Sequence, residues 1–132
     1  MKRIVLAMVL AVSMIGCAAR QIHPGAANSF DSTTYDALIV THSVIETTKT
    51  DLANNAFSIT LAPKIKAALN DLIKAYDIAD TVYQNYHMAA MAGTATPAQA
   101  TAVSDAIQNV NNATGALTAS KIQTMNIGNV AQ

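Results

Sequence analysis

The chain has 132 residues, 12% of them charged, with eight basic against eight acidic side chains and a single cysteine. One ordinary domain fits that length, and an internal disulfide is excluded because Cys17 has no second thiol to pair with. Nucleic-acid binding needs a clustered positive face that displaces phosphate counterions; the scattered lysines provide none, so that class is set aside. In chain order, the first element is Met1 to Cys17. Lys2 and Arg3 make a short basic start, Ile4 to Ile15 an apolar run interrupted by Ser13, and Gly16-Cys17 a small residue before a thiol. This is the layout of an export signal. An apolar run of 12 residues spans only ~18 Å as a helix against a ~30 Å hydrocarbon core, which argues against an uncleaved transmembrane anchor.

Met14-Ile15-Gly16-Cys17 resembles the closing box of bacterial lipoprotein precursors, an apolar residue, a variable residue, a small residue and cysteine, with Met14 where leucine is commonest. The resemblance covers the signal alone. It implies that residues 1–16 are a signal peptide, that the Cys17 thiol receives a diacylglyceryl group, and that the new amine is acylated with a fatty acid of the palmitate kind. Two or more acyl chains hold a protein on its membrane. Ala18 follows where an aspartate would mark inner-membrane retention, so the resemblance implies the outer membrane of the cell envelope, facing the periplasm. A conventional signal cut after Ala18 or Ala19 is the competing layout and leaves no anchor.

Removing residues 1–16 leaves 116 residues and a formal charge of −2, from six basic and eight acidic side chains. Residues 17–29, with Pro24-Gly25 and no apolar periodicity, read as the lipidated cysteine and a flexible tether. The first long helix is expected over about 31–57. Asp31 or Ser32 opens it, Thr33 with Asp36 offers a capping box, and Leu38, Ile45, Leu52 and Ile59 repeat every seven residues with Thr41, Thr48 and Asn55 between them. Pro63 suits the first turn of a second helix over about 63–92, in which Ile65, Leu69, Leu72, Tyr76, Ala79, Tyr83, Tyr86 and Ala90 alternate spacings of four and three. Gly93 supplies a left-handed stop. Thr96-Pro97-Ala98-Gln99 then combines an N-cap, a first-turn proline and a glutamine three residues on, which opens a third helix over about 97–123. Its seam of Val103, Ile107, Val110, Thr114, Leu117 and Lys121 is interrupted by poor helix formers, so this helix is expected to fray first, with a loose tail at 125–132. The fold expected after the signal helix is all-α, an antiparallel up-down-up three-helix bundle over residues 30–124, with the C-terminus at the far end from the lipid.

Chemical constellations are sparse. There is no Gly-x-Ser-x-Gly elbow, no glycine-rich phosphate loop, no Cys-x-x-Cys-His and no Glu-x-x-His, so no enzymatic activity is expected and no cofactor beyond the covalent lipid. Folding the first helix back on the second about residue 60 brings His42 level with Asp77 or Asp80, a hydrogen-bonded pair at a wet seam or part of a metal site. His87 and Met91 share a face with Met88 beside them, a soft donor set of the kind that suits Cu(I). The metal candidates are therefore His42, Asp80, His87, Met88 and Met91. Ile73, Ile78 and Val82 widen the apolar surface of the second helix, and Ile78, almost opposite Leu69, points to a helical protein partner or a homo-oligomer. The expected role is structural or interactive at the cell envelope. The alternative is a periplasmic carrier of a small ligand or copper-type metal, and a cavity lined by those polar residues would favour it.

Overall fold

The computed structural model describes residues 23–127. The signal helix, Cys17 and the end of the tail from residue 128 lie outside the described residues. Three helices follow one another: α1 Ser29–Ala53, α2 Ala62–Met91 and α3 Pro97–Ile127. They form an all-α, up-down-up bundle, and no strand occurs among the described residues. None of these helices is long and apolar enough to cross a membrane.

The start of α1 differs from the expected one. Asn28, in extended conformation, accepts the Asp31 amide with its side-chain oxygen at 2.9 Å, so the helix begins two residues before Asp31. Asp31 is fully buried and spends its carboxylate elsewhere. The helix also stops earlier than expected. Asn55 sits at φ 54, its amide reaching Leu52 O and the Ala56 amide reaching Asp51 O, the paired bonds of a left-handed C-terminal stop. Asparagine tolerates that conformation because its short polar side chain bonds locally. Ile59, read as the last seam residue, consequently lies beyond the helix and is 91% exposed.

The other boundaries follow their sequence signals. Pro63 occupies the first turn of α2. Gly93 at φ 70 closes that helix, with its amide on Ala90 O and the Thr94 amide on Ala89 O. Thr96 and Gln99 exchange the reciprocal bonds of a capping box at 2.9 and 3.2 Å. The third helix continues to Ile127, past the expected end at 123 and into the stretch read as loose tail.

The core runs along α2. Ile65 and Leu72 are wholly excluded from water, with Leu69, Ala79 and Tyr83 beside them, and Val110 and Leu117 come from α3 and Leu38 and Ile45 from α1. Each large aliphatic side chain so buried contributes ~1.5–3 kcal/mol of hydrophobic stabilisation. The α2–α3 packing is the most extensive, α1–α2 is intermediate, and the parallel pair α1 and α3 touch least. Helix sense is fixed at both ends. Asn28 and Phe30 meet Tyr86, and Lys121 near the end of α3 meets Thr48 and Asp51 near the end of α1. The chain thus enters at one end of the bundle and α3 finishes at the other.

Residues 23–28, read as part of the tether, are fastened to the bundle. Pro24-Gly25 makes a tight turn with Gly25 at φ 91 and the Ala26 amide on His23 O, a conformation in which glycine costs nothing. From it the His23 amide donates to Ser32 Oγ, the His23 imidazole pairs with Asp36, the Ala27 amide donates to Asp31 Oδ2, and Asn28 donates to the Tyr86 hydroxyl.

Candidate functional site

At the entry end, α1 and α2 are joined by polar and aromatic contacts. His87 Nδ1 lies 2.8 Å from Asp31 Oδ2, which also accepts the Ala27 amide at 2.8 Å. Facing a carboxylate oxygen, Nδ1 is the donor of this bond. The rings of His23, Tyr35, Tyr83 and His87 follow one another at centroid separations of 5.7, 6.5 and 5.8 Å. Together with the Pro24–Ala26 turn and Gln84 they line a cleft of about 470 Å³. Burial, and then the nearby charge of Asp31, pushes the Tyr83 hydroxyl well above the ordinary tyrosine range. The cleft therefore presents an imidazole held by a buried acid and a phenol that keeps its proton.

The structure does not gather the five metal candidates. The His42 ring lies against Tyr76 at 5.9 Å, not in a pair with Asp77 or Asp80. His87 is engaged by Asp31, while Met88 and Met91 are 61% and 59% exposed. The reason is register. His87 opposite Asp31, Tyr83 opposite Tyr35 and Tyr76 opposite His42 are all centred on residue 59, so the carboxylate level with a histidine of α2 is Asp31. The levels of His42 and His87 differ by 11 residues of α1, which is ~16 Å along the bundle. Among the described residues no group of three or more His, Cys, Asp or Glu side chains is placed to hold a metal ion.

Nor do Ile73, Ile78 and Val82 share one surface. Ile73 packs against the core, Val82 is half-buried, and Ile78 alone is exposed.

The open surface lies instead between α1 and α3. Three hollows of about 380, 350 and 420 Å³ succeed one another there and share residues where they meet. The first is bounded by Phe30, Thr33 and Ala37 against Ser104, Ile107 and Asn111, the second by Val40, Thr41 and Val44 against Asn111 and Thr114, and the third by Ile39, Ser43 and Thr47 with Lys121. From Phe30 to Thr47 this furrow follows α1 for ~26 Å. Its origin is the size of the side chains. Thr34, Thr41 and Thr48, seven apart and all buried, send their hydroxyls back to Phe30, Ala37 and Val44 carbonyls at 2.9, 2.8 and 2.8 Å. A hydroxyl bonded to its own helix does not draw α3 close, and the side chain is too short to fill the space between them; Thr48 is in addition reached from α3 by Lys121 Nζ at 2.7 Å. Val40 and Ile39 border the furrow 64% and 50% exposed.

Composition alone gives no sign of this furrow. The seven-residue threonine spacing is visible in the sequence, but its consequence depends on which small side chains of α3 arrive opposite. No protein-family model, no curated protein and no solved structure matches the chain.

Proposed function

We propose that the protein is a small lipoprotein of the cell envelope, held through an acylated Cys17, and that it acts by receiving a helix of a partner protein along the α1–α3 furrow. The observation that carries the interaction role is the furrow itself. Three helices are packed as if around a fourth position, and that position is open for a length of ~26 Å, five turns of helix. Small hydroxyl-bearing and apolar side chains along it suit a close helix–helix approach, in which an apolar stripe of the incoming helix enters between α1 and α3. Catalysis has no part in this reading.

The anchor is supported by the signal layout and by the position of the entry segment. Between Cys17 and His23 the chain reaches at most ~20 Å, so an anchored bundle stands with its Asn28–Tyr86 end toward the lipid and its α1–α2 turn away from it. The furrow then runs along the post. A carrier role is the second reading, and the cleft beside His87 favours it in place of the dispersed metal candidates; competition for Cu(I) against a chelator, unchanged by His87→Ala, would dismiss its copper form.

Two measurements test the main reading. Cys17→Ser should move the chain from the membrane to the soluble envelope fraction, and an unchanged distribution contradicts the anchor. Val40→Arg places a charge on the furrow rim at an exposed position; it should lower recovery of a co-purifying helical partner about tenfold while leaving helicity intact, and equal recovery contradicts the furrow.

A further inference from the structure

We propose that the groove at the α1–α2 turn binds the acyl chain of a free fatty carboxylate, with Lys49 and Lys66 at its rim meeting the headgroup. This groove is separate from the furrow. It opens where α1 has ended and the chain crosses to α2, with Leu52, Phe57 and Ile59 on one side and Leu69 and Ile73 on the other. Its volume is about 980 Å³, at the upper end of the ~300–1,000 Å³ typical of small-molecule sites.

Charge selects the class of occupant. Two lysines line this groove and no carboxylate does, so an anion with a long apolar body is matched at both ends. Lys49 also meets Glu46 at 2.8 Å, but both side chains are about half exposed, and a screened pair of this kind leaves two ammonium hydrogens for a ligand. Ile59 at 91% exposure is the cost of the early stop at Asn55, and an acyl chain in the groove would withdraw it from water.

The test uses the full-length lipidated protein in phosphatidylethanolamine and phosphatidylglycerol vesicles, with a photoactivatable hexadecanoate and the matching hexadecanol as probes. Adducts of the carboxylate should concentrate between Leu52 and Ile73, severalfold above those of the alcohol. Ile59→Glu, at a position 91% exposed, should reduce them about tenfold, whereas Ile78→Glu, at an exposed isoleucine outside the groove, should not. Lys49→Gln combined with Lys66→Gln should erase the preference for carboxylate over alcohol. Three results would overturn the proposal: adducts spread equally over Ile78, Met88 and Met91, equal labelling by the two probes in the unaltered chain, or an Ile59→Glu protein of unchanged helicity that labels as before.

Discussion

His87 of α2 and Asp31 of α1 form a hydrogen-bonded pair across the bundle, 56 residues apart in sequence and 2.8 Å apart in space. Asp31 is wholly buried and the imidazole is 30% exposed, so the pair closes the entry end of the bundle with its acid inside and its base at the rim of the cleft. His87→Ala removes one partner of the buried Asp31 carboxyl and leaves it to the Ala27 amide and the neighbouring Tyr83 hydroxyl. The expected loss in urea unfolding is about 2–3 kcal/mol, more than a surface pair would give, because a buried charge is left short of a partner. A cycle with Asp31→Asn should return a coupling of about 1 kcal/mol or more. Strict additivity would show that the two side chains do not act on each other.

The left-handed Asn55 gives a second prediction. Asn55→Gly should raise stability by about 0.5 kcal/mol, since glycine meets no steric cost at φ 54, and Asn55→Ala should lower it by about 1 kcal/mol. Chemical denaturation of the three proteins would measure this order, and a more stable alanine variant would contradict the stop described.

Much of the fold was legible in the sequence, and the misses have physical reasons. In α2 every fourth or third residue is apolar and the ends are marked by Pro63 and Gly93, whose backbone constraints leave little choice. The Thr96–Gln99 box was equally plain. The ends of α1 were missed because asparagine does both jobs there. Asn28 caps where Asp31 or Ser32 was expected to open the helix, and Asn55 turns left-handed where glycine is the usual sign. Asp31, expected with Ser32 at the opening of α1, is the acid that meets His87, whereas His42, expected level with Asp77 or Asp80, lies against Tyr76. The folding-back register was nearly right, and applied to Asp31 it identifies the pair. The furrow was out of reach, since the absence of bulk between α1 and α3 depends on both helices at once.

Helix packing reorders the expectation for local opening. Poor helix formers in α3 suggest that it frays first, but α3 shares the most extensive interface with α2, while α1 brings a seam half made of threonines and barely touches α3. Native-state hydrogen exchange should find α1 amides opening about 1–2 kcal/mol below those of α2 and α3. Equal protection in all three helices would mean that the bundle opens only as a whole.

Burial, and then the charge of Asp31, raises the Tyr83 hydroxyl above the ordinary value of 10.0. The native state therefore holds a proton that the unfolded chain gives up. That contribution is fully present below the unfolded value and is lost as pH rises from there through the elevated native one. The urea midpoint should fall as pH rises above about 10, and Tyr83→Phe should flatten the fall. If the variant falls as steeply, the titration belongs to Tyr76, whose hydroxyl is also raised by burial and by Asp80 and Asp77.

The central claim is that a partner helix occupies the space between α1 and α3. A photoreactive amino acid placed at Val40, in the lipidated protein within its native envelope, tests this most directly. The account predicts adducts at Val40 that map to one face of a helical segment in a partner, at the three- and four-residue spacing of a packed helix, with none from the same group placed at Ile78. Equal labelling from both positions, or adducts at Ile78 alone, would contradict it.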